Sequence, residues 1–308
     1  MKAYVAVTDG DWYRFLAARP HIREANFWRP HGSRQFLALS PGEPFIFKTK
    51  APDNRLVGGG IYEGFVALRI SHAWEIFGPG NGVESADRLV ARIHAITGES
   101  REQVGDREIG CILLRDLHFV PDDERLAPPS TFTKNTVQGR TYECPGEDPV
   151  IDHLVQILLQ HAEGADLFPG ENASLGPTHG DPRLVTPRLG QGGFKALVEE
   201  AYGRRCAVTG HRILPTLQAA HVLPVARGGQ HRIDNGILLR SDVHTLFDRG
   251  YLGVDDQYRL RVSPRLRSEF GNGEEFYSRE GSVISLPPRA PERPAPDFLT
   301  WHLTHVFR

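Results

Sequence analysis

The sequence predicts an α+β chain of two domains joined by a helix and a linker. Three observations predict it. Up to about residue 142, short apolar or alternating runs of strand type mix with segments of helical spacing. A Gly/Pro/Asn-rich stretch, Gly164 to Gly193, breaks every periodicity and reads as linker. Beyond it, one contiguous segment reads as strand, glycine-bearing polar loop, second strand and helix.

The first domain, 1–142, contains YVAVT (Tyr4 to Thr8), PFIFKTK (Pro44 to Lys50), GGGIYEGFVAL (Gly58 to Leu68) and IGCILLRDLHFV (Ile109 to Val120) as strands. DWYRFLAAR, SHAWEIFG and SADRLVARIHAI have helical spacing, the last two with a serine at the start. Residues 143–185 hold a helix and the linker. DPVIDHLVQILLQHA predicts the helix, with Asp148 as N-cap and Pro149 at the first helical position.

The second domain, 186–308, opens with the helix GFKALVEEAYG (Gly193 to Gly203). LQAAHVL then gives a strand ending near His221, stopped by Pro224. Gly228 and Gly229 permit a tight excursion, and GILL returns as the second strand. Ser241 is expected to cap the helix DVHTLFD, and YLGVD with YRLRVS forms a hairpin across Asp255–Gln257. DFLTWHLTHVF closes the chain as a short helix.

At 308 residues the chain is long enough for two separate cores, and 40% hydrophobic with 24% charged residues argues against wholesale disorder. No apolar run is long enough to span a bilayer. Asp9 and Asp11 interrupt the N-terminal pattern, which does not read as a signal peptide. Cys111, Cys144 and Cys206 are odd in number and far apart, as suits a reducing cytoplasm. The net charge of −2 is unevenly spread. From Thr186 onward, 17 Lys and Arg face 13 Asp and Glu; this mildly basic, Arg-dominated half suits phosphate contact.

His221, Asn235 and His244 form the constellation that carries chemistry. Phosphodiester hydrolysis needs a base near neutrality to deprotonate water and a cation to stabilise the charge that develops. A neutral His at a strand end supplies the base, a His on the next helix can hold the metal, and an Asn in the loop can aim the first His. On that helix His244 and Asp248 lie four apart on one face. Taken singly, each His reads as an ordinary satisfied residue; the joint spacing favours the site. His231 reads as a solvent-facing loop residue and His211 as turn surface. Arg227, Arg232, Arg240 and Arg249 are candidates for phosphate contact, Arg227 and Arg240 foremost.

AAH (Ala219 to His221), the Gly228-Gly229 loop, DNGILL and SDVHTLFDRG together resemble the HNH, or ββα-metal, endonucleases. The resemblance spans 186–308, and includes RCAVTG before the unit and Trp301-His302 with Val306-Phe307 at the end. It implies His221 as general base, Asn235 as loop-orienting or metal-proximal residue, and His244 as ligand of Mg²⁺ or Mn²⁺. Many relatives carry Asp or His just before the base, where this chain has Ala220; Gln218, Asp242 or Asp248 could replace it. Many also carry paired Cys-x-x-Cys knuckles, whereas Cys206 stands alone beside Thr209 and Gly210, so no structural zinc is expected.

FKTKAPDNRLVGGGIYEGFVAL with NFWRPHG (Asn26 to Gly32) is similar to the PUA-like superfamily of EVE, ASCH and SRA domains. That similarity implies a β-barrel with flanking helices, and several such domains read modified bases by flipping the nucleotide. Trp28, placed in an apparent loop, with Asn26 and Tyr62 are the expected pocket residues, while Phe45 and Phe47 are expected in the core. The combined expectation is a cytoplasmic, modification-dependent restriction endonuclease acting on double-stranded DNA, with cleavage of both strands needing a homodimer or two binding events. The rivals are an HNH nuclease with another sensor, for RNA or phosphorothioate DNA, and a binding protein with a degenerate HNH unit.

Overall fold

The computed structural model describes residues 1–32, 35–133, 136, 138–167, 174–175, 184–185 and 190–308. Most of the expected linker, 168–173, 176–183 and 186–189, lies outside the described residues. The chain divides into two compact units, Met1–Gly193 and Phe194–Arg308. None of the described helices is long and apolar enough to cross a membrane.

The first unit is built on one six-stranded sheet. Its strands are β1 (Lys2–Thr8), β2 (Glu24–Arg29), β3 (Pro44–Thr49), β4 (Leu56–Arg69), β5 (Glu108–Phe119) and β6 (Gly139–Glu143), in the order β2-β5-β4-β3-β1-β6. Only the β1–β3 pair is parallel. Gly58 opens the close approach of β4 to β5: its φ is +131°, and a Cβ there would lie 2.1 Å from the His118 carbonyl oxygen.

Strand alternation gives the sheet two different faces. Tyr4, Ala25, Phe45, Phe47, Tyr62 and Ile112 enter one core, which Trp12 and Leu16 of α1 (Gly10–Ala17) complete. Phe45 and Phe47 are fully buried there, in a nest of ring contacts with Phe27, Phe36 and Trp12. Ala3, Val5 and Ile46 point the other way, onto Ile151, Leu154 and Leu158 of α5 (Pro149–Leu167). Asp148 caps that helix, accepting from the N–H groups of Val150 and Ile151. Helices α2 (Ile70–Phe77), α3 (Ala86–Thr97) and the single turn α4 (Arg101–Val104) fall between β4 and β5. A two-residue ladder, β7 (Ser174–Leu175) with β8 (Leu184–Val185), falls within the linker stretch.

The second unit takes Phe194, Val198 and Tyr202, from and just after α6 (Gln191–Ala201), into its core. β9 (Leu217–His221) pairs antiparallel with β10 (Gly236–Arg240), and α7 (Ser241–Asp248) follows directly. Ala220, Val222, Ile237, Leu239, Val243 and Phe247 bind these elements into one apolar cluster. The hairpin β11 (Leu252–Val254) and β12 (Leu260–Val262) turns around Asp255, whose Oδ1 accepts from the N–H groups of Gln257 and Arg259. α8 (Pro264–Phe270), α9 (Glu274–Tyr277) and α10 (Pro296–His305) complete the unit. Cys206 is buried, and its sulfur accepts from the N–H groups of Thr209 and Arg240.

Candidate active site

β9 delivers His221 to its C-terminal end, opposite Gly236, and the chain leaves the sheet at once through Val222 to Pro224. The loop that follows folds back on itself around two glycines. Gly228 has φ +90°, and a Cβ on Gly229 would lie 1.9 Å from the Leu223 carbonyl oxygen, so only glycine fits there.

Asn235 ties this loop shut. It is fully buried; its Oδ1 accepts from Leu223 N–H at 2.8 Å, and its Nδ2 donates to the carbonyls of Leu223 at 2.9 Å and Gln230 at 3.1 Å. Its own carbonyl accepts from Val222 N–H at 2.9 Å. The Asn235 side-chain amide is thus engaged with backbone groups of Leu223 and Gln230, the arrangement of a loop-orienting residue.

The His221 ring lies flat on Phe194, with centroids 4.0 Å apart and planes 12° apart. Its Nε2 is 3.1 Å from Nδ1 of His231. The expectation that His231 faces solvent is therefore corrected. His231 is half-buried and meets both His221 and Phe194 through its ring. Neither it nor Phe194 was among the expected site residues, and both belong to the immediate surroundings of His221.

His244 lies on α7. Its Nδ1 is 2.8 Å from Gln218 Oε1, and its Nε2 is 3.3 Å from Asp248 Oδ2. An amide oxygen only accepts, so Nδ1 carries the proton in that contact. A lone pair on Nε2 facing a carboxylate calls for a proton or a cation between them. Imidazole nitrogen with carboxylate oxygen is a donor set that suits a divalent transition metal or a harder cation, so these residues fit the metal the resemblance implies. Among the described residues, no group of three or more His, Cys, Asp or Glu gathers as a metal site. His244 and Asp248 are accordingly the candidate protein ligands, with Gln218 orienting the imidazole. Partial burial raises the Asp248 carboxyl above its ordinary value, an effect that His244 opposes.

The remaining candidates divide. Asp242 is gripped by Arg240 through two hydrogen bonds of 2.6 and 2.8 Å, which hold its carboxyl below the ordinary value. The same guanidinium reaches Glu275 at 3.2 Å, so Arg240 would have to give up carboxylates to contact phosphate. Arg227 is exposed at the end of the 3₁₀ turn Val225–Arg227 and keeps the phosphate-contact expectation open. Arg232 pairs with Asp234. Ala220 is fully buried against the core, opposite Ile237. Ser241 is the first helical residue rather than the cap; Arg240 takes the N-cap position without a side-chain cap bond.

In the first unit, the expected pocket trio is not assembled. Trp28 lies on β2, paired with Cys111, and not in a loop; its Nε1–H donates to the Asn81 carbonyl at 3.0 Å. Asn26 is fully buried and donates to Asn81 Oδ1 and Cys111 Sγ. Burial pushes the Cys111 thiol up to about 12. Tyr62 sits on the opposite face of the sheet, in the aromatic core beside Phe36, where burial raises its hydroxyl to about 12 against the influence of Arg29.

Residues 206–255 match the family model described as HNH endonuclease. That match lies within the second unit and covers β9, β10 and α7, the elements that carry His221, Asn235 and His244. Among solved structures the chain is similar to ASCH from Zymomonas mobilis, at 12% identity and a TM-score of 0.34, over 51% of this chain and 94% of that one. It is also similar to the modification-dependent TagI restriction endonuclease, at 13% identity and a TM-score of 0.27, over 86% of this chain and 61% of that one. No curated protein matches the chain.

Proposed function

We propose that the protein is a metal-dependent endonuclease that cuts double-stranded DNA carrying a modified base, a restriction-type activity directed at foreign DNA in the cytoplasm. The observation that carries this reading is the placement of His221 at the end of β9, in a loop tied down by Asn235, with His244 presented by the helix that follows β10.

In this reading His221 accepts the proton of a water molecule whose oxygen attacks phosphorus. The bond to the leaving oxygen breaks with its electron pair, and that oxygen takes a proton from solvent. His244 and Asp248 would hold a divalent cation, Mg²⁺ or Mn²⁺, which would supply positive charge to the reacting phosphate. Phe194 holds the plane of the base, and Arg227 offers a cation to a neighbouring phosphate.

The unit that cuts is assigned to residues 186–308 and the unit that reads the mark to residues 1–142. Of the three expected pocket residues, Trp28 is the one with surface to offer a flipped base, since Asn26 and Tyr62 are buried. One HNH site cuts one strand, so double-strand cleavage calls for a homodimer or two successive bindings.

The test is cleavage of matched duplexes, unmodified or carrying methylcytosine, hydroxymethylcytosine or methyladenine, with Mg²⁺ or Mn²⁺ and His221→Ala as control. Cleavage of one marked duplex, lost in the control, is the expected result. Equal cleavage of all duplexes would remove the mark-reading role and keep the nuclease. Binding without cleavage under either metal would overturn the enzyme assignment.

A further inference from the structure

Three groups able to carry positive charge gather in the first unit. His118 on β5 and His161 on α5 lay their rings together, with centroids 4.6 Å apart and planes tilted by 43°. Arg23 stands just before β2, and its carbonyl accepts from the N–H of Leu117, the residue before His118. Its Nη2 lies 3.7 Å from Oδ1 of Asp116, too far for a hydrogen bond.

The donors of this group are largely unspent. Nε and Nη2 of Arg23 are both buried, and neither has a hydrogen-bond partner among the described residues. Asp116 gives its other oxygen to Arg115. Among the described residues neither imidazole makes a hydrogen bond. Folded chains keep few buried donors in this condition, because each has lost its water and gained nothing in return. The guanidinium is not sealed, since its side chain keeps 24% of its exposure and both imidazoles are half-buried.

We infer that Arg23, His118 and His161 form a phosphate-binding site, in which phosphate oxygens accept from the guanidinium and from one N–H of each imidazole. The inference goes beyond the endonuclease reading and does not depend on it.

The chemistry favours this ligand over the alternatives. A guanidinium offers two N–H groups in a fork that matches two phosphate oxygens, and a tetrahedral anion keeps further oxygens for donors on other elements. Paired imidazoles also suit a metal ion. Here the guanidinium opposes a cation, and the described residues gather no group of three His, Cys, Asp or Glu. Burial and then the charge of Arg23 hold the His118 imidazole below its ordinary value, against the influence of Glu124. For His161 the order is burial, His118 and Arg23. A bound phosphate reverses the sign of the local charge, so both imidazoles should then titrate at higher pH.

The experiment follows the imidazole ¹H–¹³C signals of the full chain, assigned through His118→Gln and His161→Gln. Both residues are expected to titrate about one pH unit higher in sodium phosphate than in sodium chloride of equal ionic strength. At constant pH, inorganic phosphate should shift the same signals saturably. Arg23→Gln should weaken that binding about 10- to 100-fold, as loss of charge-assisted hydrogen bonds does. His161→Gln leaves Arg23 in place and should weaken it by about tenfold, which keeps the test decisive if Arg23→Gln does not fold. Equal titration in the two salts, or undiminished phosphate binding in both variants, overturns the inference and leaves an ion pair bridged by water only. Saturable binding of Zn²⁺ with no response to phosphate overturns it in favour of a metal site.

A second arm separates the sources of phosphate. A short unmodified duplex is added to the His221→Ala chain. Movement of the same two signals, reversed by excess inorganic phosphate, assigns the site to the DNA backbone. Silence toward the duplex, with inorganic phosphate still bound, assigns it to free phosphate or a phosphate monoester. Neither arm reads cleavage, so failure of the site and failure of the endonuclease reading are told apart.

Discussion

The side-chain amide of Asn235 pairs with both backbone groups of Leu223, accepting from its N–H at 2.8 Å and donating to its carbonyl at 2.9 Å. A side chain here acts as a strand would, closing a loop that the β9–β10 ladder leaves open. Asn235→Ala strands the Leu223 N–H and the carbonyls of Leu223 and Gln230. Each buried orphan costs about 1–3 kcal/mol, with water recovering part of the sum. Asn235→Asp keeps the acceptor for Leu223 N–H but sets a carboxylate oxygen against two carbonyls. Both variants are expected to lower unfolding stability in urea and to abolish cleavage, with aspartate no better than alanine. Native stability in Asn235→Asp would show that the two donor bonds contribute nothing.

Around His244 the expected order of effects follows from the geometry. Calorimetric titration of Mn²⁺ into the full chain should show binding lost in His244→Ala and weakened in Asp248→Ala. Gln218 acts one step removed, by holding the Nδ1 proton, and partners of that kind are worth about 10- to 100-fold in affinity or activity. Gln218→Ala is therefore expected to weaken Mn²⁺ by a factor in that range, and Asp242→Ala to leave it unchanged, because Asp242 is committed to Arg240. A larger loss in Asp242→Ala than in Asp248→Ala would reassign the second ligand.

The strand, loop, strand and helix of the second unit were legible because their signals are local. Alternation, Pro224, the glycine pair and the spacing of His221, Asn235 and His244 all lie within one short segment. The partners of His221 were not. Phe194 sits on a different helix, and nothing in the sequence says that its ring will lie on that of His221. His231 looks like any polar loop residue until the loop folds back through Gly228 and Gly229. Pro30 and Gly32 after Trp28 suggest a loop, but pairing of β2 with β5 overrides those local signals. Asn26 and Tyr62 are expected beside Trp28 in one pocket, but strand phase, which the sequence does not fix between β2 and β4, decides which face each side chain occupies. Phe27 and Tyr62 share the aromatic core, so Asn26, next to Phe27, points away from it.

That separation makes a prediction about mark recognition. If Trp28 stacks on a flipped base, Trp28→Ala should weaken binding of the preferred marked duplex by about 1–3 kcal/mol. Tyr62→Phe keeps the buried ring and should leave that affinity unchanged. Asn26→Ala, which breaks the buried contacts to Asn81 and Cys111, should lower the melting temperature instead. Equilibrium binding by fluorescence anisotropy, on the non-cleaving His221→Ala background, separates the three. Loss of affinity in Tyr62→Phe without loss in Trp28→Ala would move the pocket to the aromatic face of the sheet.

His302 gives the second unit a pH dependence whose sign is fixed by its burial. Its ring is stacked on Phe247 at 3.7 Å, its Nε2 donates to the Phe247 carbonyl at 3.1 Å, and its Nδ1 is buried without a hydrogen-bond partner among the described residues. Burial pushes the imidazole down to about 4, whereas an unfolded His titrates near 6.5. Between those values the unfolded chain binds a proton that the native chain does not, so stability is lost as pH falls from about 6.5 toward 4. A shift of that size corresponds to about 3 kcal/mol across the window. His302→Gln can still donate an amide hydrogen to Phe247 and does not titrate. Urea unfolding at about pH 7.5 and about pH 4.5 should show the native protein losing more stability than His302→Gln by about that amount. Equal losses in the two proteins would mean that His302 takes up its proton in the folded state, and that the space around Nδ1 opens to water.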